Sequence, residues 1–272
     1  MGCQSENQVD QQEKKVHDRM ASVKRVIVVM SGKGGVGKTS VAVNLAYALA
    51  MSGKNVGLLD TDIHGPNVAK MLGIEDQTMD QFGTDMIPVM VLPNLKVVSL
   101  ALLGKGVDTP YIWRGPMKAA VIRQFLGDVD WGILDYLVVD SPPGTGDEPL
   151  SVCQLLSKIS GAVIVTTPQD VAVLDARKSI MFARELNIPV IGVIENMSGL
   201  VCPHCRVEIA LFKQGGGEKA AKEMGVPFLG RIPLDPDLVD LGDKGSPFIE
   251  AKKSSAAAFA FEEIVRKIEA KA

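Results

Sequence analysis

No single sign of charge dominates this chain: 29 Lys and Arg stand against 32 Asp and Glu, for a net charge of −3 over 272 residues. There is no long Lys/Arg run either, so the counterion-release term behind nucleic-acid binding has no footprint, and no DNA or RNA partner is expected. No apolar stretch approaches the length needed to cross a bilayer, and the first residues are polar where a secretory signal would carry an apolar core. No membrane partner is therefore expected, and the expected location is cytoplasmic. The opening Met1-Gly2-Cys3 begins like a myristoylation signal but places Glu6 where that pattern needs Ser or Thr. Cysteine is scarce: Cys3, Cys153, Cys202 and Cys205 are too few and too unevenly placed to staple a chain of this size. There is no internal repeat and no low-complexity segment.

What is present is a sizeable apolar fraction, 46%, arranged with a period. Residues 1–22 are polar with no apolar period and are expected to be a flexible tail. From Val23 the pattern becomes strand, loop, helix, repeated. Short apolar runs at Val26 to Met30, Val56 to Leu59, Leu95 to Leu100, Tyr136 to Val139, Ala162 to Thr166 and Val190 to Ile194 have the look of buried strands, with a weaker one at Pro227 to Leu229. Helices are expected over Thr39 to Met51, Glu148 to Lys158, Val171 to Leu186 and Ser255 to Ile268. Strands apolar on both faces and alternating with helices predict an α/β fold, a mostly parallel sheet with helices on both faces, in one domain over 23–272. Ligands in such sheets sit at the carboxyl ends of strands, and each motif below falls at such an end.

The run Ser31-Gly32-Lys33-Gly34-Gly35-Val36-Gly37-Lys38-Thr39-Ser40, between a strand and a helix, satisfies G-x-x-x-x-G-K-[ST] through Gly32, Gly37, Lys38 and Thr39. Glycines let backbone N–H groups close around phosphate oxygens, and the helix N-terminus adds its positive end. The expected nucleotide-binding set is therefore Gly32, Lys33, Gly34, Gly35, Val36, Gly37, Lys38, Thr39 and Ser40. Lys38 is expected to reach the β and γ phosphates and Thr39 to place its hydroxyl on Mg²⁺. Lys33 is one lysine more than the pattern needs. A lysine inside a tight phosphate loop tends to point away from the phosphates its own loop wraps, so its natural use is on a second subunit.

Asp60-Thr61-Asp62 follows the second strand, and Asp140 ends another before Ser141-Pro142-Pro143-Gly144-Thr145-Gly146. A carboxylate ending a buried strand beside a phosphate loop is where Mg²⁺ is usually held, directly or through water, and Asp140 is the choice for it. The Pro-Gly run can be neither helix nor central strand, so a loop able to switch when the γ phosphate leaves is expected. Asp62 can orient the attacking water; the alternative for Asp60 and Asp62 is helix or turn capping. Further on, Cys202 and Cys205 form C-x-x-C with Pro203 and His204 between them, ahead of Gly215-Gly216-Gly217. That spacing points to a metal, a cluster or thiol redox chemistry.

Together these residues resemble a family. Lys33 to Thr39 resembles the deviant Walker A loop of the MinD/ParA/nitrogenase-iron-protein ATPases. Asp60 to Pro66, Trp113-Arg114-Gly115-Pro116, Leu134 to Asp147, and Glu195-Asn196-Met197-Ser198 followed by Cys202-Pro203-His204-Cys205 resemble the Mrp/ApbC branch, the iron-sulfur cluster carrier ATPases. The likeness runs from about Lys24 to Glu269. It implies that Lys33 acts across a dimer, that Asp62 lies in a first switch and Asp140 opens a second, and that Asn196 recognises adenine, with backbone contacts from the segment holding Pro233. Read without the family, Asn196 is a turn residue at a strand end. Two departures stand out: an N-terminal four-cysteine segment found in some relatives is reduced here to Cys3, and Arg206 stands where many carry glycine.

Two thiolates are half a site, since a tetrahedral zinc or a four-iron cluster needs about four ligands and the chain has no second C-x-x-C. Face-to-face pairing about a two-fold axis would bring two such pairs together, in the same homodimer that Lys33 calls for. The leading expectation is a slow ATP hydrolase that binds a 4Fe-4S cluster between subunits and passes it to apo iron-sulfur proteins, with ATP and Mg²⁺ as cofactors. Three alternatives stay open: a positioning or partitioning ATPase, the same ATPase with a structural zinc at the dimer contact, and a redox dithiol.

Overall fold

Runs that are apolar on both faces are satisfied only in a sheet covered on both sides. That arrangement is found in the computed structural model, which describes residues 2–63, 65–104, 115–156, 158–202, 205 and 207–271. The chain begins with α1 (Gly2–Met20), β1 (Val23–Met30), α2 (Lys38–Met51), β2 (Val56–Asp60) and the single turn α3 (Val68–Met71). A small hairpin, β3 (Asp80–Phe82) and β4 (Asp85–Ile87), precedes β5 (Val89–Leu92), β6 (Leu95–Val98), α4 (Gly115–Gly127), β7 (Leu134–Asp140), α5 (Asp147–Leu155) and β8 (Gly161–Thr166). Then come α6 (Asp170–Glu185), β9 (Val190–Glu195), a second small hairpin of β10 (Leu200–Val201) and β11 (Glu208–Ile209), and α7 (Gly216–Glu223). The chain closes with β12 (Phe228–Arg231), α8 (Pro236–Asp243), α9 (Phe248–Ala251) and α10 (Ala256–Glu269).

Eight strands form one sheet in the order β12-β9-β8-β1-β7-β2-β6-β5. All neighbours pair in parallel except β5, which runs antiparallel to β6 at one edge. Side chains alternate across the sheet with period two. Along β1, Ile27 and Val29 enter the core beneath α2 and α10, with Leu45, Leu49, Phe261 and Ile264. Val26, Val28 and Met30 enter the opposite core, with Phe125, Trp131, Val152 and Ile180. The parallel register sets Asp140 beside both Val29 and Asp60, so the chain leaves β1, β2 and β7 at the same edge. That edge carries the phosphate loop, the Asp62 segment and the Pro142–Gly146 loop.

The polar N-terminal segment corrects the expectation of a flexible tail, because Gly2–Met20 is helical and docked against α4. Val16 and Met20 lie one turn apart on the same face and are both buried in the core that holds Phe125 and Trp131. Lys15 Nζ sits 3.2 Å from Asp128 Oδ1, and Arg19 pairs with Asp85 at 2.5 Å. His17 and Arg19 in the last turn also complement the helix dipole. Two apolar residues among so many polar ones leave no detectable period, which is why the sequence reads as a tail. Smaller differences follow the same logic: the apolar run from Leu95 leaves the sheet at Val98 and turns into a 3₁₀ segment over Leu100–Leu102, capped by the Ser99 hydroxyl.

Candidate functional site

β1 delivers the chain to Ser31, and α2 begins at Lys38 directly after Gly37, which is left-handed at φ 80°. An L side chain is strained there, and a Cβ on Gly37 would come 2.2 Å from Asn196 Nδ2. A Cβ on Gly32 would come 2.2 Å from the backbone oxygen of Asp175 in α6. Both ends of the loop are thus pinned by close packing. Among the described residues no side chain caps α2 at its start, so its first-turn N–H groups remain for an anion.

Five polar side chains, Lys38 and Thr39 of α2 and Asp140, Asp60 and Ser99 at three strand ends, converge beneath this loop. Lys38 Nζ donates to Asp140 Oδ1 at 2.6 Å, and the Thr39 hydroxyl donates to Asp140 Oδ2 at 2.7 Å. Asp140 is fully buried and Lys38 nearly so, which makes this an ion pair in a low-dielectric site. Asp60, also buried, accepts from the Ser99 hydroxyl at 3.0 Å and from the Asp62 backbone N–H at 3.1 Å. Burial, and then the neighbouring Asp140 charge, push the Asp60 carboxyl up to about 8, against a smaller opposing pull from Lys38. Burial also pushes Asp140 upward, but Lys38 and Thr39 pull the other way. We take Asp140 as the ionised member, because it alone touches the ammonium, and Asp60 as the one that holds a proton near neutrality. Thr61 donates its hydroxyl to the Asp140 carbonyl at 2.7 Å, locking the ends of β2 and β7 together. Thr39 and Asp140 offer hard oxygen donors side by side, a set that fits Mg²⁺ with most of its waters retained.

Above this cluster lies a cleft of about 510 Å³. Ser31, Lys33, Gly34, Gly35, Gly37, Lys38, Thr39, Ser40, Asp62, Asn196 and Pro233 all line it. Three sequence-selected residues act from behind: Gly32 packs on α6, Val36 is buried, and Asp140 reaches the cleft through Lys38 and Thr39. Lys33 is half-buried and has no acidic partner among the described residues. Asn196 is buried and donates from Nδ2 to the Val36 carbonyl at 2.9 Å, which joins the end of β9 to the phosphate loop. The backbone of Ile232 bonds to Glu195 and Ser198, and this holds Pro233 beside Asn196. Sequence reasoning missed α8, whose Leu238 and Val239 supply an apolar wall. Its signal was Asp235-Pro236, an N-cap followed by proline at the first helical position, with Asp235 Oδ1 accepting from Asp237 N at 3.0 Å.

The two cysteines stand apart from the cleft, on the excursion that follows Asn196. Cys202 leaves β10 with its N–H bonded to the Val207 carbonyl at 2.9 Å. It is half-buried, and Cys205 at the hairpin turn is exposed. Val201, Val207, Ile209 and Leu211 around them are exposed as well. Among the described residues no three His, Cys, Asp or Glu side chains come together as a metal site. Cys153, in contrast, is buried in α5, and burial pushes its thiol up to about 12. His64, Trp113, Arg114, Pro203, His204 and Arg206 lie outside the described residues, as does the Cys3 side chain.

No helix of the described residues is long and apolar enough to cross a membrane. The chain is 52% identical to the iron-sulfur cluster carrier protein of Methanocaldococcus jannaschii, across 96% of this chain and 91% of that one. It is 48% identical to the protein of the same name from Saccharolobus solfataricus, across 96% and 88%. Among solved structures it is similar to a nucleotide-binding protein in complex with ADP from Archaeoglobus fulgidus, with a TM-score of 0.78 and 37% identity over 91% of this chain and 95% of that one. The cell division ATPase MinD of Pyrococcus furiosus shares the fold, with a TM-score of 0.65 at 24% identity over 92% of this chain and 100% of that one. A family model for the NUBPL iron-transfer P-loop NTPases of the ParA group matches residues 22–269, and with a phosphate loop, a buried Lys-Asp pair and a C-x-x-C hairpin on one fold, the chain belongs to that family.

Proposed function

We propose that this protein is an ATP-dependent carrier that holds a 4Fe-4S cluster between two copies of itself and hands it to apo-proteins. The observation that carries this reading is the C-x-x-C hairpin, with Cys202 half-buried and Cys205 exposed, on the excursion that follows Asn196 at the cleft. Two thiolates leave a four-ligand centre half complete, and the exposed apolar side chains flanking them give a second copy a surface to cover. A cargo held by two ligands per subunit, close to the surface, is one that can be released.

Lys38 is held by Asp140. Binding would draw the Lys38 ammonium to the β and γ phosphates and free the Asp140 and Thr39 oxygens for Mg²⁺, which when bound neutralises charge on the transferring phosphoryl group. Asn196 is proposed to read adenine, with Pro233 against the base, and Asp62 to orient water. Lys33, without an acidic partner among the described residues, is proposed to reach the nucleotide of the second copy. Among the described residues the bases lining the cleft are carboxylates, Asp62, Asp235 and Asp243, so turnover is expected to be slow.

The test is anaerobic reconstitution of the wild type and of a Cys202→Ala/Cys205→Ala variant, with iron, zinc and subunit mass measured together. Broad iron-sulfur absorption in a dimer, lost in the variant, is the expected result. Absorption that survives both substitutions, or stoichiometric zinc in place of iron, would overturn the proposal.

A further inference from the structure

Glu195 ends β9 and is fully buried, yet it does not line the nucleotide cleft. The three hydrogen bonds to its carboxylate all come from the chain that leaves and re-enters the fold around the cysteines. Oε1 accepts from the Ser198 hydroxyl at 2.5 Å and from the Gly215 N–H at 2.9 Å, and Oε2 accepts from the Gly217 N–H at 2.6 Å. Ser198 and Gly215 bracket residues 199–214, the excursion that carries Cys202 and Cys205. A single carboxylate oxygen therefore gathers both ends of that excursion. Arg231 Nε lies 3.7 Å from the same oxygen and turns its guanidinium on to Glu218.

Two glycines of the triplet that follows the cysteines, Gly215 and Gly217, turn their N–H groups to this carboxylate, whereas Gly216 packs against the Pro168 carbonyl. Gly215 is left-handed at φ 83°, and a Cβ on Gly217 would stand 3.1 Å from Glu195 Oε2. Bare backbone is what lets the first turn of α7 settle on a buried anion, where the helix dipole favours negative charge. Three donors converge on one side chain, so an amide in its place would turn an N–H toward another N–H or hydroxyl. On the other side of one peptide bond, Asn196 donates to Val36 of the phosphate loop. Phosphate loop, Asn196, Glu195 and the base of the cysteine excursion thus form one unbroken chain of contacts.

We infer that Glu195 is a positioning residue for the cysteine pair: its carboxylate closes the base of the 199–214 excursion, and its place beside Asn196 ties the setting of that base to the occupancy of the nucleotide cleft. The meaning of this clasp for cluster release rests on the carrier reading above, but the clasp itself is testable without a cluster. In the full-length, reduced, cluster-free protein, the alkylation rates of Cys202 and Cys205 by iodoacetamide are followed by mass spectrometry with and without MgADP, alongside MgADP affinity. In the wild type the rate at Cys205 should change with MgADP. Glu195→Gln should keep MgADP affinity, lose that nucleotide dependence, and raise the nucleotide-free rate about tenfold, the low end of what removing a ligand-orienting partner does. Ser198→Ala, which leaves the carboxylate in place and frees only the entry side, should fall between the two; it carries the test alone if Glu195→Gln does not fold. Wild-type rates indifferent to MgADP, or a Glu195→Gln protein alkylated like the wild type, would overturn the inference. A protein that never takes up iron but passes this test would instead sink the carrier reading and leave the clasp standing.

Discussion

Lys38→Met removes the ammonium from the buried ion pair while keeping most of the stem that fills its place. Asp140 is fully buried and loses its 2.6 Å partner, leaving among the described residues only the Thr39 hydroxyl on its side-chain oxygens. Stripping one member from a buried pair costs about 3–5 kcal/mol, because the survivor stays desolvated and unpaired. At about 2–4 °C per kcal/mol for a chain of this size, the nucleotide-free variant should melt roughly 10 °C below the wild type at pH 8, read by calorimetry. The sign of its pH dependence follows from Asp140, whose carboxyl burial already pushes upward and which loses the opposing pull of Lys38. The folded variant can then take up a proton that the unfolded chain releases, so its deficit should shrink as pH falls from 8 to 5. A double variant adding Asp140→Asn should recover most of the loss. A Lys38→Met protein as stable as the wild type at pH 8, or a deficit that grows on acidification, would refute the ion-pair reasoning.

Other substitutions probe the remaining parts. Lys33→Ala should leave ADP affinity intact and cut ATP hydrolysis by about a thousandfold, the scale of other charges supplied across an interface; an equal loss of ADP binding would show that Lys33 serves its own cleft. In the wild type, Asp60 is raised from 3.8 to about 8, so the folded state holds a proton the unfolded state gives up. Its contribution is complete below pH 4 and lost on the way to pH 8, on the order of a few kcal/mol. Asp60→Asn should flatten that slope in urea unfolding at pH 5 and pH 8, since the Ser99 hydroxyl can turn to accept from the amide. Met20→Ala should lower stability by about 2–5 kcal/mol and expose the bond near Ser22 to protease, whereas an undocked helix would leave both unchanged.

Much of this molecule is legible along the chain because its strands are buried on both faces and its ligand-facing turns are written in Gly, Pro and Asp. The strands β1, β2, β7, β8 and β9 fall where their apolar runs stand, and the Pro142–Gly146 segment is the loop its composition demands. Periodicity and turn chemistry are properties of near neighbours, so they survive in one dimension. The helix α1 does not, because its two core residues acquire meaning only against α4 and Trp131. The same holds for α8, whose apolar face matters as the wall of a cleft built elsewhere.

The phosphate loop, the extra lysine and the paired cysteines could be recognised from residue type and spacing alone, since a turn that wraps phosphate and a two-thiolate bite are local geometries. Nothing local brings Lys38 within 2.6 Å of a carboxylate 102 residues away, or buries Asp60 beside Asp140. Those facts arise from strand order and register, which set β7 between β1 and β2, and from the burial that follows. Glu195 makes the point most sharply: in the sequence it is one acidic residue before an asparagine, and it becomes the clasp of the cysteine excursion only when residues 198, 215 and 217 fold back onto it.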